Sequence, residues 1–408
     1  MDWENILATR TSRMKASEIR ELLKLLDQPD IISFAGGIPD PALFPTEKIK
    51  DAYAAIFNSE NKGAALQYSP SEGYLPLRDW ICKDMQKHGV DCDIDNILIT
   101  SGSQQALDYL GKLLLNPDDT ALVGWPTYLG ALGAFNAYEP NYDRLEPNGN
   151  RSAKDYRQTA ESHGGQVKFA YTSVDFANPT GVTLDLRERD NLLDMASDLD
   201  IAIIEDAAYQ SLRYDGDPIP PILALEIERK GTIEACRTIY TGSFSKTLSP
   251  GLRVGWICAA KPVIKRLVLM KQASDLHTPS INQMVIADVA QNGFDEHVAT
   301  IRKAYSERRD RMLAALQNHM PEGVDWTRPD GGMFIWVTLP KHIDGAELLA
   351  ESLQSARVAF VPGQAFFADG SGANTIRLNF SLVDGGIIDE GIQRLRQVLV
   401  DYRNKKQP

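Results

Sequence analysis

The feature that most constrains this chain is an alternation beginning near residue 94. Apolar runs of strand length are each followed by a polar segment, and helical periodicity fills the intervals. The run 97–100 leads into Ser101-Gly102-Ser103-Gln104-Gln105 and a helix to Leu115. The run 121–123 leads into Gly124-Trp125-Pro126-Thr127-Tyr128, and 167–172 reaches Asn178-Pro179-Thr180-Gly181 after a short linker. The run 201–204 precedes Glu205-Asp206-Ala207-Ala208-Tyr209, and 238–241 precedes a stretch holding Lys246. Strands alternating with helices predict an α/β fold, with a mostly parallel sheet covered on both faces. Ligands of such sheets bind beyond the carboxyl ends of the strands, so parallel strands gather these polar segments on one edge.

The residues on that edge suit one ligand. The amine of Lys246 can form an imine with an aldehyde. Ser243, Ser245 and Arg253 can hold a phosphate, together with Ser101-Gly102-Ser103-Gln104 at a helix N-terminus, where free N–H groups favour an anion. A phosphorylated aldehyde used as an electron sink is pyridoxal phosphate. Asp206, just past a buried run, can keep a pyridine nitrogen protonated. Asn178 and Tyr209 can hydrogen-bond the ring hydroxyl, and Tyr128 can stack on the ring. Each residue has a plainer role. Lys246 alone reads as a solvated loop lysine, Asp206 as a helix N-cap, and Asn178-Pro179 as a turn. Their joint placement in chain order favours the cofactor site.

Composition removes several alternatives. The formal net charge of −12 disfavours nucleic acid or an anionic membrane as a partner. No run is long and apolar enough to span a bilayer, and Met1-Asp2-Trp3-Glu4-Asn5 lacks a signal-peptide start, which predicts a cytoplasmic protein. Cys82, Cys92, Cys236 and Cys258 form no CxxC pair, and the histidines show no ligand spacing. No metal is expected, and the thiols are read as free.

Elsewhere, residues 11–27 predict an amphipathic helix carrying Arg20. Gly36-Gly37 permits a turn or a close backbone approach. The segment 67–78, with two tyrosines, reads as a loop entering a helix at 77–87. Helices are expected over 261–275, 281–292 and 296–319. A smaller α+β part follows, with strands over 333–339, 357–361 and 375–380 and helices over 344–355 and 387–402.

Eight strings carry a resemblance: SFAGGIPDPALFP (33–45), QYSPSEGYLPLR (67–78), SGSQQAL (101–107), FANPTG (176–181), EDAAY (205–209), GSFSKTLSPGLRVGW (242–256), GGMFIW (331–336) and IRLNFS (376–381). In this order the chain resembles the fold-type I, class I/II aminotransferases that use pyridoxal phosphate, and within them the aminoadipate and kynurenine branch. The resemblance implies a large domain built on a mostly parallel seven-stranded sheet over 46–294. It implies a smaller α+β domain from 1–45 and 295–408. Lys246 is then the Schiff-base lysine, and Ser103, Gln104, Ser243, Ser245 and Arg253 contact the phosphate. Asn178, Asp206 and Tyr209 hold the ring, with Tyr128 stacked on it. Arg377 clamps the substrate α-carboxylate, Gly37 lies against the substrate, and Tyr74 reaches the neighbouring site of a homodimer. Arg20 matches the branch as a binder of a distal carboxylate, against the plainer reading of a surface arginine. One departure is Ala177, where the family often has glutamine.

The expected reaction is transfer of an amino group between an L-amino acid and a 2-oxo acid by a ping-pong route, with glutamate and 2-oxoglutarate as one pair. The rivals are another pyridoxal phosphate reaction at Cα (lyase, decarboxylase or racemase) and a ligand-sensing regulatory domain.

Overall fold

The computed structural model describes residues 3–14, 30–60 and 62–406. Of the amphipathic helix expected over 11–27, only the start is covered. Residues Thr9–Arg13 form a 3₁₀ turn, and Arg20 lies outside the described residues.

In chain order the strands are β1 (Ile32–Ser33), β2 (Ile97–Thr100), β3 (Thr120–Val123), β4 (Asn141–Arg144), β5 (Val167–Ser173), β6 (Ala202–Asp206), β7 (Thr238–Ser243), β8 (Gly255–Cys258), β9 (Asp325–Trp326), β10 (Phe334–Thr338), β11 (Val358–Ala359), β12 (Val361–Pro362) and β13 (Thr375–Asn379). The helices are α1 (Thr46–Asn58), α2 (Leu75–Lys87), α3 (Ser103–Leu114), α4 (Leu129–Asn136), α5 (Ala153–Ser162), α6 (Leu186–Leu199), α7 (Ile222–Lys230), α8 (Lys261–Gln272), α9 (Ser280–Gln291), α10 (Phe294–His319), α11 (Gly345–Ser355) and α12 (Gly385–Lys406).

The large sheet has seven strands in the order β2-β8-β7-β6-β5-β3-β4. Strands β3 to β7 run parallel, while β8 is antiparallel to both β7 and β2. Strand β2 therefore points the same way as β7, and all the polar segments singled out above leave the same edge. Alternation along the strands sorts the core into two layers. Ile97 and Ile99 join Tyr240, Trp256 and Cys258 on one face, beneath α2 and α9. Leu98 joins Ile204, Ile239 and Ile257 on the other, beneath α3 and α8. A sheet buried on both faces explains why these runs read as nearly unbroken apolar sequence.

A second sheet, β12-β13-β10-β9, is antiparallel and packs against α10 and α12 around Phe334, Leu378, Ile392 and Leu399. Strand β1 pairs in parallel with β11. Beyond β1, Phe34 O accepts from Asn379 N (2.8 Å) and Ile38 O from Ser381 Oγ (2.9 Å), so the segment 34–38 lies along the end of β13. This carries Gly37 from the start of the chain to the edge of the large sheet. The four cysteines are free and buried. Among the described residues no helix is long and apolar enough to cross a membrane.

Candidate active site

Lys246 follows β7 directly. Its Nζ donates to the carbonyl of Gly37 at 3.2 Å and lies 5.8 Å from the centre of the Tyr209 ring. No carboxylate pairs with it among the described residues. Burial lowers its pKa from 10.5 to about 8, helped by the positive charges of Arg377 and Arg253 and opposed by Asp206. A lysine with a pKa of about 8 is about a tenth neutral, and so nucleophilic, at pH 7, far more than an ordinary lysine.

Asp206 is the last residue of β6, in register with Ser173 and Thr241. Its buried carboxylate accepts from Tyr171 Oη at 2.8 Å and from Ala208 N at 3.3 Å. Burial raises its pKa, while the Tyr171 hydroxyl, the Ala208 N–H and Lys246 oppose the rise. Asp206 does not cap a long helix, since only a 3₁₀ turn at Gln210–Leu212 follows. The neighbouring Glu205 takes that role at a distance, accepting from Ile222 N (2.7 Å) and Leu223 N (3.0 Å) at the start of α7. Sequence order thus separates two adjacent acids into a frame residue and a site residue.

Arg377 lies mid-strand on β13, opposite Trp336 and Val361. It is 1% exposed. Its Nη1 donates to Asn178 Oδ1 (2.7 Å) and its Nη2 to Ala35 O (2.9 Å), while the guanidinium sits 4.3 Å from the Phe334 ring and 5.1 Å from that of Phe366. Its Nε is buried with no partner. Burial pulls its pKa down to about 10. Buried arginines are normally paired with an acid, yet no described carboxylate pairs with this one.

The remaining expected residues that are described converge here, with one exception. Ser243 Oγ donates to Ser245 Oγ at 2.9 Å and accepts from Ser245 N at 3.1 Å. Arg253, with φ 52°, donates to Ser101 O and Pro250 O, both at 3.3 Å. Its guanidinium covers Gly102, where a Cβ would lie 2.5 Å from Nη2; Gly102 has φ 81° and precedes α3. The N–H groups of the first turn of α3, including Ser103 and Gln104, lack intrahelical acceptors. The Gln104 side chain donates to Gly130 O at 2.7 Å. Tyr128 lies against Gly130, and its hydroxyl is pushed up to about 12 by burial and then by Asp206. Asn178 faces the Tyr209 hydroxyl as well as Arg377. A Cβ at Gly37 would stand 3.4 Å from Phe334 and 3.7 Å from Arg377 Nη2. The exception is Tyr74, and Arg20 lies outside the described residues. Tyr74 is half-buried at the start of α2, its N–H donating to Gln283 Oε1 at 2.7 Å, and it packs against the core layer that holds Phe244 and Leu248, with no hydrogen bond to Lys246.

Three residues of this cleft escaped the sequence reading. Tyr171 sits in a buried strand and looked like core. Phe334 and Phe366 form the walls that hold Arg377, and an aromatic in an apolar run gives no sign of facing a guanidinium.

A nucleophilic lysine, a buried acid opposite it, a glycine-lined helix N-terminus and an acid-free buried arginine define an α/β enzyme that handles a phosphorylated aldehyde and a carboxylate. The family model for class I and II aminotransferases matches residues 29–395. Aromatic-amino-acid aminotransferase 1 of Thermococcus litoralis is 42% identical over 99% of this chain and 96% of its own. A kynurenine aminotransferase of Pyrococcus horikoshii, solved in complex with PMP, superposes with a TM-score of 0.90 at 43% identity, covering 100% of this chain and 99% of that one. An α-aminoadipate aminotransferase of Thermus thermophilus, solved with N-(5'-phosphopyridoxyl)-L-leucine, gives 0.88 at 38% identity over 99% and 100%. The chain belongs to the class I and II aminotransferases. It is a pyridoxal-phosphate-dependent transaminase of fold type I.

Proposed function

We propose that this cleft moves an amino group between an L-amino acid and a 2-oxo acid in two half-reactions, with glutamate and 2-oxoglutarate as one pair. The observation that carries the residue roles is Arg377, a buried guanidinium with no acid, facing a lysine of lowered pKa. Bound pyridoxal phosphate supplies the aldehyde that carries the amino group and the ring that accepts an electron pair.

The chain's own residues do the rest. Arg377 binds the α-carboxylate of the substrate, and the flat guanidinium fixes its orientation. Ser103, Gln104, Ser243, Ser245 and Arg253 hold the phosphate. Asp206, kept in place by Tyr171, holds a proton on the ring nitrogen. Asn178 and Tyr209 hold the ring hydroxyl, and Tyr128 lies on the ring face. Lys246 Nζ would take the proton from the substrate Cα as base and deliver it, as acid, to the C4′ carbon of the bound cofactor. Gly37 leaves space for the substrate beside Arg377 and lends its carbonyl to orient Nζ.

The named relatives act on aromatic amino acids, kynurenine and aminoadipate, which supports a substrate range spanning aromatic and dicarboxylic amino acids. Arg20 serves the distal carboxylate of the latter. Tyr74, which makes no hydrogen bond to Lys246 within its own chain, completes the neighbouring site of a homodimer. Residues 46–294 form the cofactor-binding domain, with 1–45 and 295–408 the smaller one, and the enzyme works in the cytoplasm.

The test is an absorbance spectrum of the protein with pyridoxal phosphate, before and after L-glutamate, beside Lys246→Ala. A lysine-dependent visible band that glutamate bleaches and 2-oxoglutarate restores is expected. A band that persists in Lys246→Ala, or that glutamate leaves untouched, contradicts the assignment of the lysine or of the donor.

A further inference from the structure

Behind the first turn of α3 lies a second buried lysine that the chemistry above does not use. Lys271, in the last turn of α8, is completely buried. Its Nζ donates to both oxygens of Asp275 at 3.0 Å and to Gln105 Oε1 at 2.9 Å. Asp275 also accepts from Ser101 Oγ (3.0 Å), Gln105 Nε2 (2.8 Å) and Tyr109 Oη (3.2 Å). Gln105 Oε1 accepts in addition from Ser101 N at 2.8 Å. The Ser101 carbonyl is the acceptor for Arg253 Nη2. Every polar atom of Ser101 is therefore fixed, from behind by this cluster and in front by Arg253.

Burying a lysine against an acid is a poor way to gain stability, because the desolvation cost consumes most of the attraction. An apolar side chain at the end of α8 would pack as well. What an apolar residue cannot do is fix the N–H and hydroxyl of Ser101 at once.

We propose that Lys271, Asp275 and Gln105 form a positioning cluster for the cofactor phosphate. The cluster holds Ser101, Ser101 holds the Arg253 guanidinium over Gly102, and the N–H groups of Ser103 and Gln104 are thereby presented to the anion in fixed geometry. This rests on the placement of the phosphate proposed above. The bonds from Gln105, Lys271 and Ser101 keep the Asp275 carboxyl below its usual pKa, so that it stays charged for this task.

The full-length protein, stripped of cofactor, is titrated with pyridoxal phosphate and with pyridoxal, which lacks the phosphate. Lys271→Met is expected to raise the Kd for pyridoxal phosphate about tenfold or more while moving that for pyridoxal by less than about twofold. Lys271→Arg should restore most of the loss. Gln105→Met strands no buried charge and should shift the same ratio in the same direction, so the test survives if Lys271→Met fails to fold. Arg253→Ala separates the two readings. If it weakens only the phosphorylated ligand while Lys271→Met and Gln105→Met weaken both ligands equally or neither, the positioning role is overturned. If Arg253→Ala also fails to discriminate, the phosphate placement itself falls.

Discussion

Two fully buried arginines in this fold solve the problem of a buried charge in opposite ways. Arg189, on α6, donates to Asp175 Oδ1 at 2.8 Å, to Leu184 O at 3.0 Å and to Pro220 O at 2.9 Å, and Arg213 shares the same carboxylate oxygen at 2.9 Å. Its charge is neutralised by the chain itself, and the cluster pins the turn that leads to Asn178. Arg377 has neutral acceptors only, an unpartnered Nε and two aromatic walls. The first arrangement is complete without a ligand. The second leaves the charge without a described counter-charge, as the proposed binding of a substrate carboxylate requires. Burial alone does not mark a functional charge; the missing counter-charge does.

Substitutions can break this contrast at its strongest point first. Arg377→Gln keeps a donor but removes the charge, and kcat/KM should fall about a thousandfold, the cost of losing one partner of a buried charged contact. Steady-state kinetics with glutamate would show it, and a loss under about tenfold would place the carboxylate elsewhere. Next, Arg189→Gln leaves Asp175 with Arg213 alone and should lower folding stability by about 3 kcal/mol, read by urea unfolding. Its effect on KM should be much smaller than that of Arg377→Gln.

The pH response of Lys246 sharpens the same contrast. Its folded pKa of about 8 lies below the ordinary 10.5, so between these values the unfolded chain holds the extra proton. Stability of the cofactor-free protein should therefore rise with pH from about 8 to 10.5 relative to Lys246→Met, and the difference should flatten below 8. Uptake of pyridoxal phosphate should likewise accelerate with pH, half-maximally near 8. The smallest expected effect belongs to Arg20→Ala, which should raise KM for dicarboxylic substrates about tenfold more than for aromatic ones. Equal shifts for both substrate classes would remove Arg20 from the site.

Much of the large sheet was legible because strands buried on both faces must be apolar, and Ile97–Thr100 or Thr238–Ser243 carry that mark. Direction was not legible. Nothing in the run Gly255–Cys258 says that it lies antiparallel between β2 and β7. Strand β4 went unread because Asn141–Arg144 is polar and sits at the sheet edge. The gathering of polar segments at one edge of the large sheet could be read from residue types at strand ends. Arg377, by contrast, came only through its resemblance to a family motif, since its meaning depends on which acids are absent around it. Lys271 gave no sign at all. A lysine in a helix reads as a solvated face until its neighbours from α3 are known.

The most direct measurement is urea unfolding of cofactor-free Arg377→Gln beside Arg189→Gln. Arg377→Gln is expected to unfold within about 1 kcal/mol of the parent protein while Arg189→Gln loses several times more. Equal losses in the two variants would make Arg377 a structural charge and contradict its role as the receptor for the substrate carboxylate.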